Sequence, residues 1–200
     1  MEILDRIIGE IKDAFKYCKT RSKNKYYGDR FEEWVVRNSN IQKIHPGKGK
    51  PFWKLLEWRG DKYIDGYSPL SSSAPDLLLE CLSDQNRPFY NLGEIIAIEC
   101  KWKSKEADFF LKLEDIEKYE TYVREYSRYP VKCLFYVFGF GWSDNGPETV
   151  YVIPSYKIYD YDKTDDEAPT ITFLQKGSRE EKAKLFEKYK CAGPCVMYRI

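Results

Sequence analysis

No stretch of this 200-residue chain is apolar for long enough to span a membrane. Acidic residues interrupt the N-terminus from Glu2 onward, so a secretory leader is not expected and a cytoplasmic location is. Net charge is nearly lacking: 33 Lys and Arg against 32 Asp and Glu leave +1. No global field calls for a polyanionic partner, and any basic surface must be local. Internal repeats and low-complexity segments are missing. Histidine is reduced to His45, which could be a catalytic base, although one unpartnered histidine is more often structural or exposed. Pro46-Gly47-Lys48-Gly49-Lys50-Pro51 is an irregular loop but not a Walker A sequence, so nucleotide binding is not indicated. The acidic stretch 156–167 lacks EF-hand order and reads as a solvated loop. Cys191 and Cys195 flank Gly193-Pro194 without a matching second pair, a weak zinc signal. The six cysteines read as reduced thiols.

What is present suits one α/β domain. The length can bury a core, and 42% hydrophobic residues argue against disorder. Seventeen Tyr and five Trp serve packing first and base stacking second. Helical periodicity runs through Met1–Lys19, from about Gly28, and through Leu113–Tyr126. Short strands joined by turns are expected over Trp53–Pro69, and strands over Val131–Phe138 and Val150–Ile153. A charged helix is expected over Ser178–Lys190.

The most informative stretch is Ile95-Ile96-Ala97-Ile98-Glu99-Cys100-Lys101. Four apolar residues in a row predict a strand buried on both faces. It ends in Glu-x-Lys, whose two charged side chains share one face because strand side chains alternate. Taken alone, this is a same-face ion pair of little energetic value where a strand reaches solvent. A second apolar run, Leu77–Leu82, follows Pro75-Asp76. Turn chemistry between the runs predicts an antiparallel hairpin centred between Arg87 and Pro88. Asp76 then falls opposite Glu99, with Lys101 just beyond. Two carboxylates about 4 Å apart at an effective dielectric near 20 repel by roughly 4 kcal/mol. Lys101 offsets part of this. A divalent cation would offset more, and oxygen ligands favour magnesium or manganese over zinc.

Pro75-Asp76 followed by Glu99-Cys100-Lys101 resembles the motif of the PD-(D/E)xK nuclease superfamily. That superfamily includes type II and Mrr-like restriction enzymes and Holliday-junction resolvases. Gly28, Phe31, Glu32 and Val35 match the Gly-x-x-Phe-Glu-x-x-Val helix that many members carry before the motif. The resemblance covers about Gly28 to Pro154. It implies a restriction-endonuclease-like, three-layer α/β/α fold with a mixed central sheet, and a metal-dependent endonuclease acting on DNA. It further implies magnesium, with manganese able to substitute, held by Asp76, Glu99 and the main-chain carbonyl of Cys100. Glu32 is the third acidic residue, reaching the metal through water. Lys101 orients the attacking water, and the products carry a 5′-phosphate and a 3′-hydroxyl. Glu32 also has a plainer reading as a first-turn glutamate favoured by the helix dipole. Lys118 and Tyr122 have the spacing of an Mrr-like Gln-x-x-x-Tyr, but the glutamine is missing.

Two basic segments lack acidic residues. Lys16–Tyr27, with Lys23 and Lys25, can touch a phosphate backbone or be a solvated helix end and loop. Val35–Leu56, with Lys43, Lys48 and Lys50, is well placed to hold DNA phosphates. RNA or branched DNA stays open as substrate, as does a homodimer, and no membrane partner is expected. A role in restriction or host defence is what part of the family implies. Two other classes remain: a nucleic-acid-binding domain that does not cut, and an interaction domain whose charged pairs are structural. The expected organisation is one domain over 1–200, with an N-terminal helix and basic loop (1–27), a nuclease core (28–154) and a C-terminal extension (155–200).

Overall fold

The computed structural model describes residues 23–42, 51–58, 73–82, 90–105, 109–164, 167–174 and 187–191. In chain order these form helix α1 (residues 23–37), strands β1 (Trp53–Trp58), β2 (Leu77–Cys81), β3 (Ile95–Lys103) and β4 (Phe109–Lys112), and helix α2 (Leu113–Thr121). A π-helical turn over Tyr122–Tyr126 continues α2. Strands β5 (Val131–Phe140) and β6 (Thr149–Pro154), a short helix α3 (Ser155–Ile158), and strands β7 (Asp162–Lys163) and β8 (Thr170–Leu174) complete the order.

The central sheet has the order β1-β2-β3-β5-β6. Its one parallel pair is β3–β5, reached through the crossover that carries α2, and the other pairs are antiparallel. This is a mixed α/β architecture with a five-stranded mixed sheet and helices, consistent with a restriction-endonuclease-like fold. A three-stranded sheet of order β4-β8-β7 stands beside it.

Alternation along the strands splits the core in two. Leu77, Leu79, Ile96, Ile98, Phe135 and Val137 pack with Phe31, Val35 and Val36 of α1. Leu78, Ala97, Leu134, Tyr136 and Phe138 pack with Ile116 and Tyr119 of α2. Every residue of β3 from Ile95 to Cys100 is buried, as a strand covered on both faces requires. Each fully buried aliphatic or aromatic side chain contributes about 1.5–3 kcal/mol, so the two clusters bind both helices firmly to the sheet.

Two expectations are corrected. Helix α1 is already running at residue 23, so the basic segment 23–27 is helical and Gly28 lies inside the helix rather than at its start. Glycine there costs about 1 kcal/mol relative to alanine. Burial of Phe31, Val35 and Val36 outweighs that cost. The stretch 156–167 is not simply a solvated loop. It contains most of α3 and all of β7, and it buries Ile158 and Tyr161, whose ring packs 4.8 Å from that of Phe173. Widely spaced apolar residues among many acidic ones hid that packing.

The expected helices over 1–19 and most of 178–190, and the residues His45, Lys43, Lys48 and Lys50, lie outside the described residues. Cys100 and Cys133 are free thiols. Among the described residues no helix is long and apolar enough to cross a membrane.

Candidate active site

Strands β2 and β3 pair with Leu77 opposite Ile98 and Leu78 opposite Ala97. One step further along this register, Asp76 stands opposite Glu99, the juxtaposition the two sequence runs predict. β2 ends there, so the ladder leaves the Cys100 N–H without a backbone partner. Asp76 takes it: Cys100 N–H donates to Asp76 Oδ2 at 2.7 Å. The N–H and C=O of one antiparallel-paired residue leave the same strand edge, which turns the Cys100 carbonyl toward the Asp76 side as well.

Glu99 and Lys101 share the α2 face of the sheet. Glu99 is 3% exposed and its Oε1 lies 2.6 Å from Lys101 Nζ. This is not the solvated pair that a strand end suggests. Lys101 Nζ also donates to Tyr119 Oη at 3.3 Å and lies 5.2 Å from the centre of that ring. Tyr119 comes from α2, so a helix and a strand together fix the ammonium.

The charges here are under stress. Among the described residues, the buried Glu99 Oε2 has no hydrogen-bond partner, and neither has the Tyr136 hydroxyl across the β3–β5 register from it. An unsatisfied buried polar atom costs about 1–3 kcal/mol, more when it is charged. Burial pushes the Asp76 carboxyl well above the usual carboxylate range, and the charges of Glu99 and then Glu32 push it further. Burial also pushes up the Tyr119 phenol, aided by Glu99. For Lys101 burial works to lower the value, but Glu99 and Tyr119 outweigh it and hold the ammonium above its ordinary range. The contacts with Glu99 and Tyr119 make Lys101 a cation and donor in this arrangement.

Glu32 arrives from the opposite face on α1, half-buried. Its charge acts on Asp76, and it adds to the burial and the Asp76 charge that push the Cys100 thiol up. Because α1 is running by residue 23, Glu32 lies more than two turns inside it, beyond the first turn where a dipole effect operates. The plainer reading of Glu32 thus loses its footing. Two glycines allow α1 to approach. A Cβ at Gly139 would collide with the buried Phe31 ring, and one at Gly146 with the Trp34 indole.

Of the basic residues singled out, Lys23 and Lys25 are exposed on α1. Lys118 is half-buried, paired with Asp115 at 3.3 Å and 4.5 Å from the Tyr119 ring centre. Tyr119 is the site residue that the sequence pattern passed over. Its signal was its place with Ile116 on the apolar stripe of α2, which has to face the sheet.

An all-oxygen donor set of Asp76, Glu99 and the Cys100 carbonyl fits a hard cation such as magnesium, which keeps several waters and needs only one or two carboxylates. The unpartnered Glu99 Oε2 and the crowded Asp76 carboxyl are what such a cation would relieve. Among the described residues, no three His, Cys, Asp or Glu side chains form a cage on their own.

The chain matches no protein-family model and no curated protein. Among solved structures it is similar to Hjc of Archaeoglobus fulgidus, a Holliday junction resolvase from an archaeal hyperthermophile. That likeness has 12% identity and a TM-score of 0.39, over 79% of this chain and 88% of that one. So low an overlap assigns neither a family nor a function.

Proposed function

We propose that this protein is a metal-dependent endonuclease that hydrolyses DNA phosphodiester bonds. The supporting observation is the opposition of Asp76 and Glu99 at the end of the β2–β3 ladder, together with a buried Glu99 oxygen that lacks a hydrogen-bond partner among the described residues, a raised Asp76 carboxyl and a fixed Lys101 ammonium. Asp76, Glu99 and the Cys100 carbonyl would hold magnesium or manganese, with Glu32 reaching it through water. When bound, the cation supplies charge neutralisation at the phosphate and acidifies water. Lys101, kept protonated, orients the attacking water and stabilises charge on the phosphate oxygens. Tyr119 positions Lys101 for this. The products are a 5′-phosphate and a 3′-hydroxyl.

In this reading the chain is one domain, with its core over 28–154. Lys23, Lys25, Lys43, Lys48 and Lys50 meet DNA phosphates. A homodimer, a cytoplasmic location and a part in restriction or host defence extend the proposal. The alternative, second reading is a domain of this fold that binds nucleic acid without cutting it.

The test is cleavage of supercoiled plasmid by the purified protein with magnesium, manganese or EDTA, beside Lys101→Ala and Asp76→Ala. The expected result is cutting that needs the metal and falls at least about 100-fold in either variant, with DNA binding kept. Cutting that persists in Lys101→Ala would remove the site from this assignment. Binding without cutting would favour the second reading.

A further inference from the structure

Trp102 follows Lys101 on β3 and so points to the opposite face of the sheet, at the same end of the strand. There it enters a cluster of rings. Tyr27 of α1 stacks on Trp102, with centroids 4.8 Å apart and planes 19° from parallel. Trp142, just beyond β5, lies 5.7 Å from Tyr27. Tyr26 meets Tyr27 edge-on at 5.3 Å and is 55% exposed. The Trp102 indole is fixed by donating to the Gly141 carbonyl at 2.9 Å.

Two cations complete the cluster. The Arg30 guanidinium lies 4.8 Å from the Trp142 ring centre and 5.6 Å from that of Tyr26. Lys23 Nζ lies 5.9 Å from Tyr27. Neither has a carboxylate within ion-pair distance among the described residues, whereas Arg37, further along the same helix, is paired to Glu33 at 2.7 Å. Packing explains Tyr27 and Trp102. It does not explain why an exposed tyrosine and two cations with no ion-pair partner among the described residues flank them.

We infer that this cluster is a stacking platform for an unpaired base of a DNA strand. The exposed Tyr26 ring, backed by the half-buried Tyr27, Trp102 and Trp142, offers a π-face to a base, and Arg30 and Lys23 offer charge to the flanking phosphates. Bases inside a duplex already stack on each other, so the platform selects a strand that is single, frayed or flapped beside the site. This inference rests on the nuclease reading only for its place next to the scissile phosphate. The binding itself does not need cutting.

The experiment measures binding in EDTA by fluorescence anisotropy. The probes are a labelled oligothymidylate, an abasic oligodeoxynucleotide of equal length, and a duplex. The proteins are wild type, Tyr26→Ala, Tyr26→Phe, Arg30→Gln and Asp76→Ala, each first matched for melting temperature. Wild type is expected to bind oligothymidylate about tenfold more tightly than the abasic strand. Tyr26→Ala should lose most of that preference and Tyr26→Phe should keep it. Arg30→Gln should weaken both strands and reduce the salt slope by about 0.7. Asp76→Ala should retain the preference. Equal binding of the two strands by wild type, an unchanged preference in Tyr26→Ala, or tighter binding of the duplex would each overturn the platform. None of these outcomes bears on plasmid cutting, so the two readings fail separately.

Discussion

Strand β3 is bracketed by two glutamate–lysine pairs of the same length. Just before it, Glu94 Oε2 lies 2.6 Å from Lys132 Nζ, and near its end Glu99 Oε1 lies 2.6 Å from Lys101 Nζ. Each lysine also sits over a tyrosine, Tyr90 in the first case and Tyr119 in the second. The difference is in what else the carboxylates find. Glu94 accepts from the Asn91 backbone N–H and side chain as well, and Lys132 and these bonds lower its carboxyl to about 2. It is a finished structural contact at the surface. Glu99 is almost fully buried, keeps one oxygen unpartnered, and faces a carboxyl whose charged form is disfavoured. Distance alone does not separate a clasp from a site. Burial and satisfaction do.

The largest test of that contrast is cation binding. Magnesium at about 100 times its dissociation constant should stabilise the protein by about 2.7 kcal/mol, read as a rise in melting temperature. Glu99→Gln should abolish the rise and Glu94→Gln should leave it intact. Equal loss in both variants would erase the distinction between the two pairs.

Gly139→Ala should come next. The new methyl meets the buried Phe31 ring, and overpacking costs about 1–3 kcal/mol in chemical denaturation. Because Phe31 adjoins Glu32, the magnesium-induced rise should shrink as well. The Glu94–Lys132 contact should not respond.

A smaller effect is expected from Tyr119→Phe, which keeps the ring under Lys101 but removes its hydroxyl partner. A hydrogen bond contributes about 0.5–1.5 kcal/mol, so cleavage should fall roughly 2- to 13-fold at saturating metal. The change should appear in kcat rather than KM. Tyr90→Phe, its counterpart under Lys132, should leave cleavage unchanged.

The smallest effect concerns acid. The folded Glu94 carboxyl is lowered from 4.5 to about 2, so its contribution is present above 4.5 and is lost as pH falls toward 2. Stability curves of wild type and Glu94→Gln should differ above that window and converge below it.

Much of the frame was legible in the residue pattern. The apolar runs and the turn residues between them were enough to predict that Asp76 stands opposite Glu99, because a hairpin register is set by where its loop is centred. The apolar stripe of Phe31, Trp34 and Val35 marked α1, although Gly28 was misread as its start because packing overrode a weak local preference. The strands β4 and β8 and the buried residues of 156–167 were not legible. Short strands that pair across long sequence separations leave little periodic trace.

The sequence by itself thus determined which side chains share a strand face and which strand positions meet, since alternation and register are local properties of the chain. Only the tertiary structure decided their chemical state. Glu32 comes from a helix on one face of the sheet and Tyr119 from a helix on the other. Whether Asp76, Glu99 and Lys101 are solvated or enclosed depends on both helices closing over the sheet. Charge energetics follow burial and neighbours in space, which no spacing along the chain encodes.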